Sequence, residues 1–192
     1  MTFEEFKLYL INSSKKVLFK GYPFTIADIF KSATALKNKI VNKPPEELWA
    51  KVIKNASALI ANIIIPVLDF YKIKYSGATV EVEIESFYRC PILNTKIGGS
   101  ATSQHTTGKY EGGEAIDFNI FVNGKVLSQK EVFNDIISGK IIHKGLKQPI
   151  KNLIDQCIYE GTWIHCSHSR LQRRKQFLIY KNKKYIVTTK EI

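Results

Sequence analysis

The sequence predicts a single α+β domain of 192 residues, in which helices alternate with a small, mostly antiparallel sheet. Three observations predict this class. Apolar residues recur at helical spacing over residues 48–63, apolar and acidic residues alternate strictly over residues 79–85, and Asn123-Gly124 is typical of a tight hairpin turn. The length and a hydrophobic content of 44% suit one globular core. We expect a helical N-terminal part over residues 1–75 and a core carrying the functional site over residues 76–192.

The N-terminal part is predicted to be helical in two stretches. Residues 1–40 are interrupted at Gly21-Tyr-Pro23, and a second helix begins after Pro44-Pro45-Glu46-Glu47, because proline suits a first helical turn and carboxylates suit the positive end of the helix dipole. Pro66 is expected to end or kink this helix. The apolar run from Ala58 to Leu68 is too short to span a bilayer, and the N-terminus lacks a signal-peptide pattern. We therefore expect synthesis in the cytoplasm, without a signal peptide or a transmembrane segment.

The C-terminal part is predicted to alternate strands with helices. Residues 79–85 form a half-buried strand whose glutamates face solvent, and a strand over Ala115–Val122 returns through the Asn123-Gly124 turn. Ser128 caps a helix that stops at Gly139. An amphipathic helix is predicted over residues 146–159, and strands follow over residues 162–167, 176–180 and 185–189.

The charge and the cysteines limit the possible partners and compartments. A net charge of +12 indicates a polyanionic partner: nucleic acid, an acidic membrane face or an anionic wall polymer. Nucleic acid is not expected, since no groove-reading or base-stacking motif is present. The three cysteines, Cys90, Cys157 and Cys166, include no C-x-x-C pair, which favours reduced, partly buried thiols over a disulfide scaffold.

Two histidines and an aspartate make a candidate metal-binding set. His105 lies in a glycine-rich loop, Asp117 in the following strand, and His165 in the strand over residues 162–167. Two imidazoles and a carboxylate can bind a catalytic zinc and leave a fourth position for water. The alternative is that these are packed, hydrogen-bonded core residues, as we expect for His143 and His168.

One motif joins two of these residues: Ser103-Gln-His105 is followed by Gly113-Glu-Ala-Ile-Asp117. This motif resembles the Ser-x-His-x-x-Gly-x-Ala-x-Asp signature of the M15 zinc peptidases, which include D-Ala-D-Ala carboxypeptidases and L-Ala-D-Glu endopeptidases that cut peptidoglycan stem peptides. Further stretches match in order and rough spacing from about residue 22 to 189: Ser86-Phe-Tyr-Arg89, Leu93-Asn94, Gly98-Gly99, residues 153–160 and Trp163-Ile-His-Cys-Ser167. The resemblance implies a Hedgehog/DD-peptidase-like fold, Zn2+ bound by His105, Asp117 and His165, and a phage or prophage endolysin.

Two departures from the family pattern matter. The loop Gly108–Gly113 is longer than usual by about five residues, which costs little closure entropy and changes the rim of the cleft. Many members place the catalytic glutamate three residues before the last histidine, where this chain has Thr162. We predict that Glu160 is the general base, with Asp155 on the preceding helix as a poorer alternative. Glu160 could instead be an exposed helix end.

Four further residues are predicted to lie around the substrate. Arg89 could bind a substrate carboxylate or stabilise the oxyanion, or form a structural salt bridge with the acidic strand face. Ser86 and Gln104 are weaker candidates for lining the cleft. Trp163 could pack beside the metal or belong to the core.

The basic C-terminus and the missing glutamate leave alternatives for function. The cationic block either steers the protein to an anionic wall or membrane surface or is a solvated hairpin; it comprises Arg170, Arg173, Arg174, Lys175, Lys181, Lys183, Lys184 and Lys190. The first hypothesis is a monomeric zinc metallopeptidase acting on the cell wall after its release. The alternative is a non-catalytic, zinc-containing domain that binds cell-wall peptide or a protein.

Overall fold

A computed structural model of the protein describes residues 1–107, 111–168 and 174–192. These residues form helices and a mostly antiparallel sheet, so the predicted α+β class is confirmed. The chain divides into two compact units: Met1–Ser57 with Ser86–Ile116, and Ala58–Glu85 with Asp117–Ile192. That residues 1–192 act as one peptidase domain stays a prediction.

The first unit is mainly helical and carries the segment that holds His105. Its helices are α1 (Phe3–Ser13), α2 (Ile26–Phe30), α3 (Ala33–Lys37), α4 (Trp49–Leu59) and, later in the chain, α6 (Pro91–Lys96). Thr2 with Glu5 and Thr25 with Asp28 form capping boxes that begin the first two helices. The buried Asn42 side chain binds the backbone at Phe30, Tyr88 and Cys90, which fixes the course of the chain just before α6.

The helix that begins after Pro45 is longer than predicted. A 3-10 turn over Glu46–Leu48 leads into α4, a π-helical turn follows over Ile60–Ile64, and α5 (Ile65–Lys74) continues from it. Pro66 therefore does not end the helix. It has no N–H to donate and its ring crowds the preceding turn, and the widened π turn, in which the Ile65 N–H donates to the Ile60 carbonyl, lies just before it.

This long helix bears on the expected absence of a membrane segment. By length and composition, Glu46–Lys74 could cross a membrane. Half of its most apolar stretch is buried inside the protein, as is typical of the core helix of a globular domain. Among the described residues it is the only helix that meets this criterion.

The sheet carries two of the three predicted metal ligands on neighbouring strands. Its strands are β1 (Val80–Ser86), β2 (Ala115–Val122), β3 (Lys125–Val126), β6 (Gln156–Tyr159), β7 (Ile164–Ser167), β8 (Gln176–Lys181) and β9 (Lys184–Val187). Their order in the sheet is β1-β2-β7-β6-β8-β9, with β3 paired to β2. Strands β6 and β8 run parallel, whereas β6–β7, β8–β9 and β2–β3 are antiparallel. The half-buried β1 and the Asn123-Gly124 turn, with positive φ at both residues, are confirmed.

The second unit also contains α7 (Gln129–Ile137), which the sequence predicted with its stop at Gly139, where φ is +80°. A two-stranded hairpin follows, formed by β4 (Ile142–His143) and β5 (Gln148–Pro149). Asp135 on α7 accepts hydrogen bonds from Tyr71 and Lys74 on α5, which links the two helices.

The predicted helix over residues 146–159 is wrong. This segment contains β5, a 3-10 turn over Ile150–Asn152, and β6. Pro149 pairs with Ile142 in the hairpin, where its missing N–H is tolerated at a sheet edge. Strand β6 has partners on both sides, so pairing in the middle of a sheet overrides the helical spacing of its apolar residues. Glu160 consequently follows a strand, at the turn into β7.

Candidate metal centre

The loop of His105 is held by the segment that follows β1. The Nδ1 atom of His105 is hydrogen-bonded to the Phe87 carbonyl, and the Arg89 N–H donates to the His105 carbonyl at 3.0 Å. His105 is almost fully buried, with 2% of its surface exposed. A proton on Nδ1 that donates to a carbonyl leaves Nε2 as the unprotonated ring nitrogen, which is how proteins orient metal-binding histidines.

The last residues of this loop, 111–113, are held against α4. The Asn55 side-chain amide donates to the Gly112 carbonyl at 3.1 Å, and Lys51 forms a salt bridge with Glu111. Gly113 has a φ of +70°, and a Cβ added there would meet the Val52 carbonyl oxygen at 2.5 Å. Only glycine therefore fits at position 113. Of the long loop predicted over Gly108–Gly113, residues 108–110 lie outside the described part of the chain.

Asp117 and His165 form a pair on β2 and β7. The Oδ1 atom of Asp117 lies 2.8 Å from Nδ1 of His165. Asp117 is 4% exposed, and His165 is half-buried. These strands are neighbours in the sheet, and the alternation of side chains along them places both residues on one face.

The three predicted ligands come together as one group that could bind a metal ion. His105, Asp117 and His165 each offer a ligand atom, and these atoms lie within 4.8 Å of one another. Ligand atoms of a tetrahedral zinc, at bond lengths near 2.0–2.1 Å, are about 3.3 Å apart. Two imidazoles and one carboxylate make a donor set that fits zinc and leaves one position for water.

Arg89 and Ser86 lie close to the backbone that holds His105. The Arg89 Nε donates to the Ser86 hydroxyl at 2.7 Å, so the serine orients the guanidinium. Gln104, next to His105, is 5% exposed. The substrate-binding roles predicted for Arg89, Ser86 and Gln104 stay predictions.

The two acidic residues considered as general base have different surroundings. Asp155 is fully buried and accepts hydrogen bonds from the Arg174 backbone N–H, Nε and Nη2. This is a structural ion pair, and Asp155 lies just before β6 rather than on a helix, so it is a poor candidate for the base. Glu160 is half-buried at the end of β6 and accepts a hydrogen bond from the Tyr185 hydroxyl at 3.4 Å.

Trp163 and the remaining histidines lie outside the ligand group. Trp163 precedes β7 and is 37% exposed, so it is not a core residue. The His168 Nδ1 is hydrogen-bonded to the Leu153 carbonyl, and the His143 Nδ1 accepts from the Leu146 N–H. Both contacts support the predicted structural roles.

Sequence reasoning missed two contacts that hold the site residues. One is the Phe87 carbonyl, and backbone acceptors leave no trace in a sequence. The other is the Tyr185 hydroxyl, which comes from the C-terminal hairpin. Burial raises the pKa of Tyr185, and the neighbouring Glu160, Tyr180 and Asp117 raise it further, so the phenol remains a donor at neutral pH. The available sequence signal was the pair of aromatic residues in this hairpin, Tyr180 and Tyr185.

The basic C-terminal block has more than one role. Arg174 forms an ion pair with the buried Asp155, whereas Lys181, Lys183 and Lys184 are exposed at the turn between β8 and β9. Arg170 and Arg173 lie outside the described residues.

Comparison with known families identifies the group to which the chain belongs. Residues 23–132, more than half of the chain, match the family Peptidase M15. This chain is an M15 peptidase. The match includes His105 and Asp117 and ends before His165. Searches of curated proteins and of solved structures gave no match. M15 peptidases are typically zinc-dependent, which agrees with the ligand group described above.

Proposed function

We propose that this M15 peptidase is a zinc-dependent hydrolase that cuts an amide bond in the stem peptide of peptidoglycan, as a phage or prophage lysin. The observation that carries the proposal is the grouping of His105, Asp117 and His165. The family membership supports peptide hydrolysis, and the donor set supports zinc.

The ligand group supports a role for zinc in the proposed hydrolysis. Zn2+ held by the two histidines and the aspartate would polarise the scissile carbonyl and lower the pKa of a water molecule. The Phe87 carbonyl fixes the ring of His105, and the pairing of β2 with β7 in the sheet keeps Asp117 beside His165.

The remaining site residues are proposed to transfer protons, stabilise negative charge and bind the substrate. Glu160 accepts a proton from the attacking water and returns it to the leaving amine, and Tyr185 orients its carboxylate by donating to Oε1. Arg89, oriented by Ser86, donates to the oxygen on which negative charge develops or to a carboxylate of the substrate. Gln104 and Trp163 are proposed to line the substrate cleft.

The net charge supports the choice of substrate. A charge of +12 favours association with an anionic wall, where it raises the local concentration of enzyme. We propose that the protein reaches the wall after its release from the cell.

The test is mass spectrometry of purified peptidoglycan incubated with the protein, with and without a chelator. We expect chelator-sensitive release of peptide fragments, whose masses identify the bond. Glu160→Gln should abolish release while wall binding persists. Wall binding without release by the wild-type protein, on walls of several chemotypes, would instead indicate the non-catalytic binder, with Thr162 at the usual base position as the explanation.

A further inference from the structure

Two buried cysteines face each other across β6 and β7. The strand register pairs Cys157 with Cys166, both are 0% exposed, and their sulfur atoms lie 3.6 Å apart. Both are free thiols. The proposed hydrolysis uses neither of them.

The register of β6 and β7 places the two cysteines at a position where side chains on paired strands come closest. Glu160 donates its backbone N–H to the Trp163 carbonyl at 3.2 Å, which makes these two residues a hydrogen-bonded pair. Hydrogen-bonded and non-hydrogen-bonded pairs alternate along an antiparallel ladder, so Cys157 and Cys166, three pairs further along, form a non-hydrogen-bonded pair. The Cα atoms of such a pair are about 4.5 Å apart, within the range of roughly 4.4–6.8 Å found for disulfide-bonded cysteines.

We propose that Cys157 and Cys166 are a site of covalent modification, at which an intramolecular disulfide forms across β6 and β7 under oxidising conditions. Each thiol loses one proton and one electron, a sulfur–sulfur bond forms, and a low-molecular-weight disulfide that acts as the oxidant is reduced to two thiols. Since neither sulfur is exposed, the oxidant reaches them when the short hairpin opens transiently in the native protein.

The bond would join two strands that matter for the site. Strand β6 leads directly into Glu160, and Cys166 follows His165 on β7. A disulfide here constrains the unfolded chain and holds the two strands in register, so the oxidised protein should melt at a higher temperature than the reduced protein.

The test is a thiol count and a peptide map of the full-length protein after prolonged incubation in oxidised glutathione under native conditions. No lysine or arginine lies between Asn152 and Ser169, so trypsin leaves both cysteines in one peptide. We expect this peptide to lose two hydrogen atoms in mass and to resist alkylation. Further cleavage after Glu160 should give two halves that separate only on reduction. The thiol count should fall from three to one.

Matched variants make the result specific. Cys90→Ser, in the first unit, should leave the disulfide intact, whereas Cys157→Ser and Cys157→Ala should both abolish it. Persistence of all three thiols in natively folded protein would overturn the proposal, as would oxidation seen only in denaturant or a disulfide that involves Cys90. The readout does not require peptide hydrolysis, so it is independent of the proposed function.

Discussion

Glu160 lies where β6 turns into β7, and its carboxylate accepts a hydrogen bond from Tyr185. As the proposed general base, it should account for most of the acid–base contribution to hydrolysis. We expect Glu160→Gln to lower kcat by at least about 100-fold, because an amide cannot accept the proton of the attacking water. Bound zinc, measured by elemental analysis, should be unchanged. Activity close to wild type would exclude Glu160 as the base.

Tyr185 tests whether the orientation of Glu160 matters for catalysis. Tyr185→Phe removes the hydroxyl that orients Glu160, so kcat should fall several-fold with little change in KM, in keeping with roughly 1 kcal/mol for one hydrogen bond to a charged group at a partly exposed site. Tyr180→Phe is the matched control: its ring lies 5.0 Å from that of Tyr185, and the two residues are paired between β8 and β9. Equal effects of the two variants would argue against a specific role for Tyr185.

Gly113 shows how a single residue shapes the loop of the metal centre. Gly113→Ala should destabilise the protein by roughly 3 kcal/mol, because a Cβ strains the positive φ and also collides with the Val52 carbonyl oxygen. The measurement is the midpoint of urea unfolding. Gly124→Ala is the control: its φ is +72° and nothing lies within 4 Å of an added Cβ, so only about 1 kcal/mol is expected. Similar losses for both variants would contradict this account of the loop.

At the scale of elements, α5 and α7 are joined by a network of charged and phenolic groups. Asp135 on α7 is 4% exposed and lies 2.7 Å from Lys74 and 3.1 Å from Lys140. Burial would raise the pKa of Asp135, but the hydrogen bonds from Lys74, Lys140 and Tyr71 outweigh burial and lower it. Burial would lower the pKa of Lys74, and its bonds to Asp135 and Glu131 outweigh burial and raise it.

These shifts define a pH window for stability. Because the pKa of Asp135 is lowered below 3.8, its contribution is present above that pH and is lost as the pH falls further. Because the pKa of Lys74 is raised above 10.5, its contribution is present below that pH and is lost as the pH rises through the raised value. The network therefore stabilises the folded protein across the neutral pH range.

Removing the carboxylate of Asp135 should lower the free energy of unfolding. Asp135→Asn leaves two lysines without their shared partner, so we expect a loss of roughly 3 kcal/mol at neutral pH, shrinking as the pH falls below 3.8. Asp69→Asn is the control, since its partner Lys144 is 72% exposed and the pair should contribute less than about 1 kcal/mol. Urea unfolding across pH checks both variants. A constant cost at all pH values would mean that charge is not the cause.

The elements differ in how well the sequence predicted them. Strand β2 and its Asn123-Gly124 turn were placed correctly, because alternation and turn chemistry are local signals. The helix predicted over residues 146–159 failed, because the leucines and isoleucines of that segment fit helical spacing, and strand pairing with β7 and β8 is invisible locally. Pro66 was expected to end or kink the helix. The helix continues through it, and the π turn that precedes Pro66 has no sequence signal.

At the scale of the whole molecule, the family motifs identified His105, Asp117 and His165 as candidate metal ligands. Their spacing alone did not distinguish metal ligands from packed core residues. His105 and His165 are 60 residues apart, and only the fold brings their ring nitrogens within 4.8 Å of each other and of Asp117. The contacts that orient His105 and Glu160 come from a backbone carbonyl, which leaves no trace in a sequence, and from Tyr185 in the C-terminal hairpin, which is remote in sequence from Glu160.

The net charge of the whole molecule predicts how binding to the cell wall depends on salt. With +12 charges, binding to purified anionic cell wall should weaken several-fold between low and physiological ionic strength, because salt screens exposed charges. Sedimentation with purified wall measures this, and an uncharged polysaccharide is the control matrix. Binding that does not change with salt would mean that recognition depends on contacts other than charge.

The most direct test of the account is the zinc content of the purified protein and of single variants in the ligand group. We expect one equivalent of zinc in the wild type and in His143→Ala, whose imidazole lies in the β4–β5 hairpin, outside the ligand group. His105→Ala, Asp117→Ala and His165→Ala should each lose most of the metal while remaining folded by circular dichroism. Full zinc occupancy in these three variants, or no zinc binding by the wild type, would contradict the proposed metal centre.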